Sequence, residues 1–345
     1  MKIKIWRNIS FIVLILGFSC VGHAQQEAQF SQYMFNKLSY NPGYAGTSGS
    51  ICLTGLYRDQ WMGLTFDAPT NAGANTAGVA PQNLLFSFDM PVKFLHGGLG
   101  ATIYTDKAGY TSATNINVNY AYHLVWGTGI LSIGFEGGLF NRALNSEDLR
   151  GYDDLTGDPT NPTGSSSSDP LINQLAKDQN DMMTDFSFGL FYQTAGQFYA
   201  GLSMKNILAA KSDLLNYQNS RCIYLMAGYD YSIPTNPDIR LLPSTLIKTA
   251  DFSLFQVDMS CLVEYNRTVW GGLSYRLQDA VAVLAGVNME HMRIGMSYDF
   301  TTSVLGGIGK PGRSKGSMEI YLRYCFKIHI PPKMPTIYEN TRYQW

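Results

Sequence analysis

Strict alternation of apolar and polar residues, sustained over long segments, constrains this chain more than any other sequence feature. Residues 114–124 alternate between apolar side chains such as Ile116 and Val118 and polar side chains such as Asn117 and Asn119. When extended, such a segment has one apolar and one polar face. A soluble β-sandwich alternates as well. These segments, however, run for about 9–13 residues, longer than the usual 5–6 of globular strands and close to the roughly 9–11 that cross a bilayer.

Fourteen such segments can be counted, an even number, as single-chain bacterial outer-membrane barrels have. They span residues 50–61, 82–92, 97–106, 112–124, 129–140, 184–194, 197–206, 221–232, 239–249, 254–265, 268–277, 280–288, 291–300 and 316–328. Every long connection between them (62–81, 141–183, 207–220 and 301–315) is odd-numbered. Outer-membrane barrels place long loops outside and short turns in the periplasm, whereas a sandwich has no reason to sort loops by length. The sequence therefore predicts an all-β fold, a transmembrane outer-membrane β-barrel of about 14 antiparallel strands.

Charge content agrees with a barrel whose apolar face contacts outer-membrane lipid. Only 15% of the residues are charged, against about 25% in an average soluble protein. The net charge of −1 shows no basic excess, so nucleic acid is not an expected partner. Residues of both signs on the polar faces are expected to form ion pairs that brace the lumen: Glu136, Asp258, Glu264, Arg276, Arg293, Asp299, Glu319 and Arg323.

The first residues have the pattern of a cleaved signal peptide. Lys2, Lys4 and Arg7 precede an apolar run that is far too short for a membrane helix. Small residues of the kind found before a signal-peptide cleavage site follow, and they predict cleavage after Ala24. A lipoprotein signal acylated at Cys20 is the alternative. The predicted organisation is a signal peptide (1–24), an N-terminal periplasmic or plug segment (25–49), the transmembrane barrel (50–328) and a C-terminal periplasmic tail (329–345).

Four cysteines remain after the predicted cleavage: Cys52, Cys222, Cys261 and Cys325. An exported protein can oxidise them, but their wide spacing does not suggest a compact disulfide framework. We interpret them as small, semi-buried apolar residues. Their redox state stays open.

No chemical motif in the sequence predicts a catalytic residue, a cofactor-binding residue or a metal site. The chain contains no H-E-x-x-H, no G-x-S-x-G and no complete phosphate-binding loop. His123 shares a polar face with Asn115, Asn117 and Asn119, so a lumenal hydrolase that uses His123 with a carboxylate is a reserve hypothesis. Because no nucleophile lies at an obvious position, polar filling of the lumen is favoured, and we expect no enzyme.

A specific motif precedes the first predicted strand. It reads Gln29, Phe30, Ser31, Gln32, Tyr33, Met34, Phe35 and Asn36, followed by Tyr40, Asn41, Pro42, Gly43, Tyr44, Ala45 and Gly46. Together with later blocks it resembles the PorP/SprF family of type IX secretion system outer-membrane proteins. Those blocks are Tyr57-Arg58-x-Gln60-Trp61, Leu242-Pro243-Ser244 with Lys248, Trp270–Arg276 and Gly295-x-Ser297-Tyr298-Asp299. Gly43 replaces the family's usual alanine, and Met318 stands where a histidine is usual.

The resemblance implies a non-enzymatic component that assists secretion and surface attachment of a cargo protein, such as an adhesin with a C-terminal sorting domain. Gliding motility belongs to the functions of such adhesins. A periplasmic ring and a peptidoglycan-binding component are further partners of the family. The alternative is an outer-membrane channel for small solutes. The motif segment is expected either to enter the lumen as a plug or to lie across the periplasmic mouth.

Overall fold

The computed structural model describes residues 29–64, 80–109, 111–144, 179–194, 197–212, 217–252, 254–303, 306 and 313–326. The predicted signal peptide (1–24) and the predicted tail (329–345) lie outside these residues. Within the described ranges, no helix combines the length and the apolar character needed to cross a membrane.

Seventeen strands and three short 3-10 helices are formed by the described residues. The strands are β1 (Ile51–Asp59), β2 (Gln82–Val92), β3 (Gly97–Ala108), β4 (Thr111–Trp126), β5 (Gly129–Leu144), β6 (Gln179–Thr194), β7 (Phe198–Lys205), β8 (Lys211–Ser212), β9 (Tyr217–Gln218), β10 (Cys222–Tyr229), β11 (Tyr231–Ile233), β12 (Asn236–Ala250), β13 (Leu254–Tyr265), β14 (Val269–Arg276), β15 (Ala280–Asn288), β16 (Met292–Thr301) and β17 (Ser317–Phe326). The 3-10 helices are Lys37–Ser39, Pro42–Tyr44 and Lys93–Leu95.

The strands close into one antiparallel barrel. Each barrel strand pairs with the next along the chain, β10 pairs with both β7 and β12, and the first strand β1 pairs with the last strand β17. β11 continues β10 beyond Asp230, while β8 and β9 form a separate two-stranded hairpin. The barrel wall therefore contains fourteen strands, and the predicted fold class is confirmed.

Alternation places the apolar side chains on the outer face of the wall. In β13, the outward-facing Met259 and Val263 are 50% and 45% exposed, whereas the inward-facing Ser260 and Glu264 are only 5% and 2% exposed. Exposed apolar side chains on the outside and buried polar ones inside reverse the order of a soluble protein. They agree with a wall that faces lipid.

The strand boundaries follow the prediction closely, with one informative departure. β2, β13 and β15 begin and end at the predicted residues. β5 and β6 are longer than predicted, because Asn141–Leu144 pairs with Gln179–Met182. This part of the ladder is mostly polar, so the alternation that marked the other strands is absent from it. The long connection is therefore 145–178, shorter than the predicted 141–183.

The long connections all leave the same end of the barrel. The connections 60–81, 145–178, 206–221 and 302–316 are at this end, here called the loop end. The turns between β2 and β3, β4 and β5, β6 and β7, β11 and β12, β13 and β14, and β15 and β16 are short and lie at the opposite end, here called the turn end. In outer-membrane barrels the turn end faces the periplasm.

The cysteine interpretation is wrong for two of the four residues. Cys52 and Cys325 are direct register partners of β1 and β17, with 4.1 Å between their Cα atoms, and they form a disulfide. The other two cysteines, Cys222 and Cys261, form no disulfide among the described residues. Only the pairing of the first strand with the last brings Cys52 and Cys325 together, which residue spacing alone does not reveal.

Candidate functional site

The residues that precede β1 lie inside the lumen. Residues 29–46, here called the plug, cross it from the loop end to the turn end. Near the loop end, Gln29 Nε2 donates a hydrogen bond of 2.8 Å to Gln256 Oε1. At the turn end, the carbonyl oxygen of Ala45 lies 2.9 Å from His123 Nε2. Of the two expected positions of this segment, the lumenal one is observed.

All ten motif residues singled out from the sequence belong to the plug. Gln29 is half-buried, and the other nine are buried: Phe30, Ser31, Gln32, Tyr33, Tyr40, Asn41, Pro42, Tyr44 and Gly46. The plug and the inner wall form one apolar core, in which plug side chains such as Phe35 and Leu38 pack with wall side chains such as Leu56 and Leu262. The motif thus supplies much of the interior of the barrel.

Two backbone amides of the plug bind one buried carboxylate. The N–H groups of Ser31 and Gln32 donate to Glu319 Oε2 and Oε1 at 2.8 and 2.9 Å. The Ser31 hydroxyl donates to Asp299 at 2.6 Å. Arg58 compensates both acids, with Nη2 2.8 Å from Asp299 and Nη1 3.1 Å from Glu319. Since the three charged side chains are at most 1% exposed, their pairing is required to offset the cost of burying them.

The ion-pair network extends from the Asp299 carboxylate across the wall. Arg276 Nη1 lies 3.5 Å from Asp299 Oδ2, and Arg276 Nε lies 3.3 Å from Asp258 Oδ1. Lys248 Nζ donates to Asp258 Oδ2 at 3.1 Å. Arg58, Lys248, Arg276 and Asp299 come from four separate blocks of the sequence resemblance. The structure brings these blocks together around the start of the plug.

Tyrosine hydroxyls attach the middle of the plug. The Tyr33 hydroxyl donates to the carbonyl oxygen of Ser244 at 2.9 Å and accepts from the Ser260 hydroxyl at 3.0 Å. The Tyr40 hydroxyl accepts from the backbone N–H of Phe30 at 3.3 Å, a contact within the plug. Buried tyrosines usually have such hydrogen-bond partners. These bonds explain why tyrosine, and not phenylalanine, stands at the two positions.

Asn41 and the two residues after it fit against glycines of the wall. Asn41 Nδ2 donates to the carbonyl oxygen of Leu190 at 2.9 Å, and Asn41 Oδ1 accepts from the N–H of Gly43 at 2.8 Å. A Cβ atom on Gly189 would overlap Asn41 Oδ1, and one on Gly134 would overlap the backbone of Gly43. Only residues without a side chain allow this close approach of plug and wall.

The end of the plug is held at the turn end of the barrel. Arg323 Nη1 donates to the Tyr44 hydroxyl at 3.1 Å, and Arg323 Nη2 lies 3.3 Å from Asp89. Gly46 adopts a φ of 71°, and a Cβ atom there would overlap Gly98 of β3. A glycine is therefore required at residue 46 both by its backbone conformation and by space.

His123 has a structural contact with the plug. Its Nε2 atom contacts the Ala45 carbonyl oxygen, and no hydrogen bond or ion pair joins it to a carboxylate within the described residues. The same part of the chain contains no group of three or more histidine, cysteine, aspartate or glutamate side chains that could hold a metal ion. The arrangement expected of the reserve hydrolase is thus not formed around His123.

The expectation that mixed charges brace the lumen is confirmed by a second buried cluster. Lys205 Nζ lies 3.5 Å from Glu136 and donates to the carbonyl oxygen of Ser39 in the plug at 2.9 Å. Asn119 and Ser187 donate to the same glutamate. The sequence gives no signal for Lys205, because it lies at the end of β7, where no motif marks it.

The two larger cavities among the described residues lie on either side of the plug, and they share no lining residue. The one at the turn end has a volume of about 630 Å³ and the one at the loop end about 530 Å³. Lys37 of the plug lines the turn-end cavity, and Gln29 lines the loop-end cavity. The described lumen is thus divided by the plug.

Sequence comparison decides the family. The profile of the family described as "Type IX secretion system membrane protein PorP/SprF" matches residues 22–324. The chain belongs to this family. The resemblance found in the sequence is confirmed, and this PorP/SprF protein is an outer-membrane β-barrel of the type IX secretion system. A comparison with curated proteins finds no match.

Several solved barrels are similar to this PorP/SprF chain. Omp33 of Acinetobacter baumannii has a TM-score of 0.42 and 5% identity, over 80% of this chain and 98% of that chain. The CymD monoaromatic hydrocarbon channel has a TM-score of 0.41 and 11% identity, over 90% and 96%. The NanC porin has a TM-score of 0.36 and 10% identity, over 81% and 100%. At these scores and identities the similarity says nothing about function.

Proposed function

We propose that this protein is a non-enzymatic component that assists secretion and surface attachment of a cargo protein, such as an adhesin with a C-terminal sorting domain. Membership of the PorP/SprF family supports a role in type IX secretion. The plug supports a role without transport through the lumen, because its buried side chains separate the two larger cavities at the two ends of the barrel. A gliding adhesin is one cargo of the proposed kind.

The observation that carries this proposal is the attachment of the plug along its whole length. Contacts to Glu319 near the loop end, to Leu190 in the middle and to Arg323 at the turn end fix it in the lumen. Function then resides at the two mouths. In the proposed arrangement, cargo binds at the loop end, outside the cell. The periplasmic ring and the peptidoglycan-binding component bind at the turn end, where the predicted tail 329–345 adds to the surface.

Deletion of the longest loop tests cargo attachment. Residues 145–178 should be replaced by a short turn, since cutting farther would remove paired residues of β5 and β6. We expect a folded barrel that releases the adhesin from the cell surface into the medium, as measured by immunoblotting of cells and medium. His123→Ala is the comparison. If His123→Ala abolished adhesin retention in an assembled barrel while the loop deletion did not, the proposal would be wrong. The lumenal hydrolase hypothesis would then be favoured.

Truncation of the tail tests whether periplasmic components bind at the turn end. Removing residues 331–345 should weaken co-purification with periplasmic ring components and leave the adhesin on the surface loops. Loss of both interactions in either deletion would contradict the division of function between the two ends.

A further inference from the structure

The turn-end cavity has the features of a ligand site. Its volume of about 630 Å³ lies within the range of about 300–1,000 Å³ that is usual for small-molecule sites. Met34, Phe35 and Lys37 of the plug form part of its lining, and wall residues near the turn end of the barrel form the rest. The cavity is thus built between plug and wall, at the mouth that faces the periplasm.

Lys37 is the unusual group in this cavity. It is half-buried, and its ammonium nitrogen lies 3.9 Å from the ring centre of Tyr199 and 5.6 Å from that of Tyr44. Within the described residues it has no carboxylate partner and no oxygen acceptor. Two aromatic rings attract a cation, but they leave N–H donors of the ammonium unused.

The other charged residues of the cavity compensate one another. Arg240 Nη1 lies 2.8 Å from Glu264 and its Nε donates to Asp230 at 2.9 Å. Arg293 Nη2 lies 3.8 Å from the second oxygen of Glu264. Two acids therefore face two guanidinium groups, and the charge of Lys37 is left over. A ligand that pairs with Lys37 would contribute one negative charge.

Part of the cavity wall is apolar and open. Val125 is 87% exposed at the mouth, and Ile130 and Leu242, which also lie on the inward-facing side of their strands, continue the apolar surface. Exposed apolar side chains on the lumenal side of a barrel mouth do not contact lipid, so lipid does not explain them. They suit the apolar body of a ligand whose charged end reaches Lys37.

We propose that the turn-end cavity binds an amphipathic monocarboxylate, with its carboxylate on Lys37 and its apolar or aromatic body against Val125, Ile130 and Leu242. The carboxylate belongs either to a free organic acid or to an acidic side chain flanked by aromatic residues in a periplasmic peptide. The two sources share the recognition chemistry and differ in size. This inference does not depend on the cargo role proposed above.

Binding can be measured by isothermal titration calorimetry on the full-length protein in lipid nanodiscs. Phenylbutyrate is the free-acid probe, and the neutral phenylbutyramide is its matched control. Acetyl-Phe-Glu-Phe-amide is the peptide probe, with acetyl-Phe-Gln-Phe-amide as its control. We expect saturable binding of at least one carboxylate probe and much weaker binding of its neutral partner. Binding of the free acid alone assigns an organic acid, and binding of the peptide alone assigns a peptide segment.

Three variants separate a ligand contact from a structural role. Lys37→Gln should weaken carboxylate binding by about tenfold or more, because a charge-assisted hydrogen bond is lost. Lys37→Arg should retain most of the affinity. Lys93→Gln removes the same charge from an exposed turn at the same end of the barrel, outside the cavity, and should have no effect. Heat-modifiable mobility on gels checks that each variant is folded. Saturable binding of neither probe, or equal binding to wild type and Lys37→Gln, would overturn the proposal.

Discussion

At the scale of single residues, space for the plug is created by glycines of the wall. Gly189 faces Asn41, and a Cβ atom there would overlap the asparagine oxygen. Gly137 lies on the opposite face of the wall, where the nearest atom to a Cβ would be 3.8 Å away, in the ring of Phe186. The two glycines are therefore equivalent as strand residues and different toward the plug.

We expect Gly189→Ala to lower the free energy of unfolding by about 1–3 kcal/mol, because overpacking forces plug or wall to shift. Gly137→Ala should leave it unchanged or slightly raised, since alanine reduces the freedom of the unfolded chain. Urea unfolding in liposomes, followed by tryptophan fluorescence, measures both. Equal effects would show that the plug does not lie against Gly189.

At the scale of the strand, depth in the bilayer sets the cost of a charge. Met259 lies in the middle of β13 and Tyr265 at its turn end, and both are outward-facing and at least half exposed. Met259→Arg should cost about 2–4 kcal/mol and Tyr265→Arg about 0–1, as measured by reversible folding into liposomes. A similar cost for both would mean that β13 does not span the bilayer in the assigned way.

At the same scale, some features of the strands can be predicted from the sequence and others cannot. Strands such as β13 were predicted to the residue, because lipid outside and a polar lumen impose alternation that turns interrupt. The polar extension Asn141–Leu144 has no such environment and was missed. The motif residues were recognised but not their partners. The contact of Ser31 with Glu319 spans 288 residues, and it follows from barrel closure, which no local pattern encodes.

At the scale of the whole molecule, the barrel is closed at β1 and β17 by more than backbone pairing. The Cys52–Cys325 disulfide joins the two strands near the turn end, and the Arg58–Glu319 ion pair joins them near the loop end. A crosslink between the two ends of the barrel constrains the unfolded chain. The first and last strands are thus linked near both ends of the barrel.

We expect reduction to lower the free energy of unfolding by about 2–4 kcal/mol, a typical disulfide contribution. The double variant Cys52→Ala/Cys325→Ala should resemble the reduced protein and should not respond to reductant. Cys261→Ala, at an outward-facing position of β13, should keep the full response. Unfolding curves with and without reductant provide the measurement, and an unresponsive wild type would argue against the disulfide.

We expect the plug to block ion conduction through the barrel. Phe30, Tyr33 and Leu38 of the plug belong to the same buried core as the wall, and the cavities on its two sides have no lining residue in common. In planar bilayers we therefore expect no steady current from the intact protein. Deleting residues 29–46 should open the lumen and produce single-channel steps. If the deletion variant fails to fold, Gly189→Ala is the alternative test. It disturbs the plug without removing it and should give brief channel openings. Steady current from the intact protein would show an open lumen and would favour the channel alternative over the proposed accessory role.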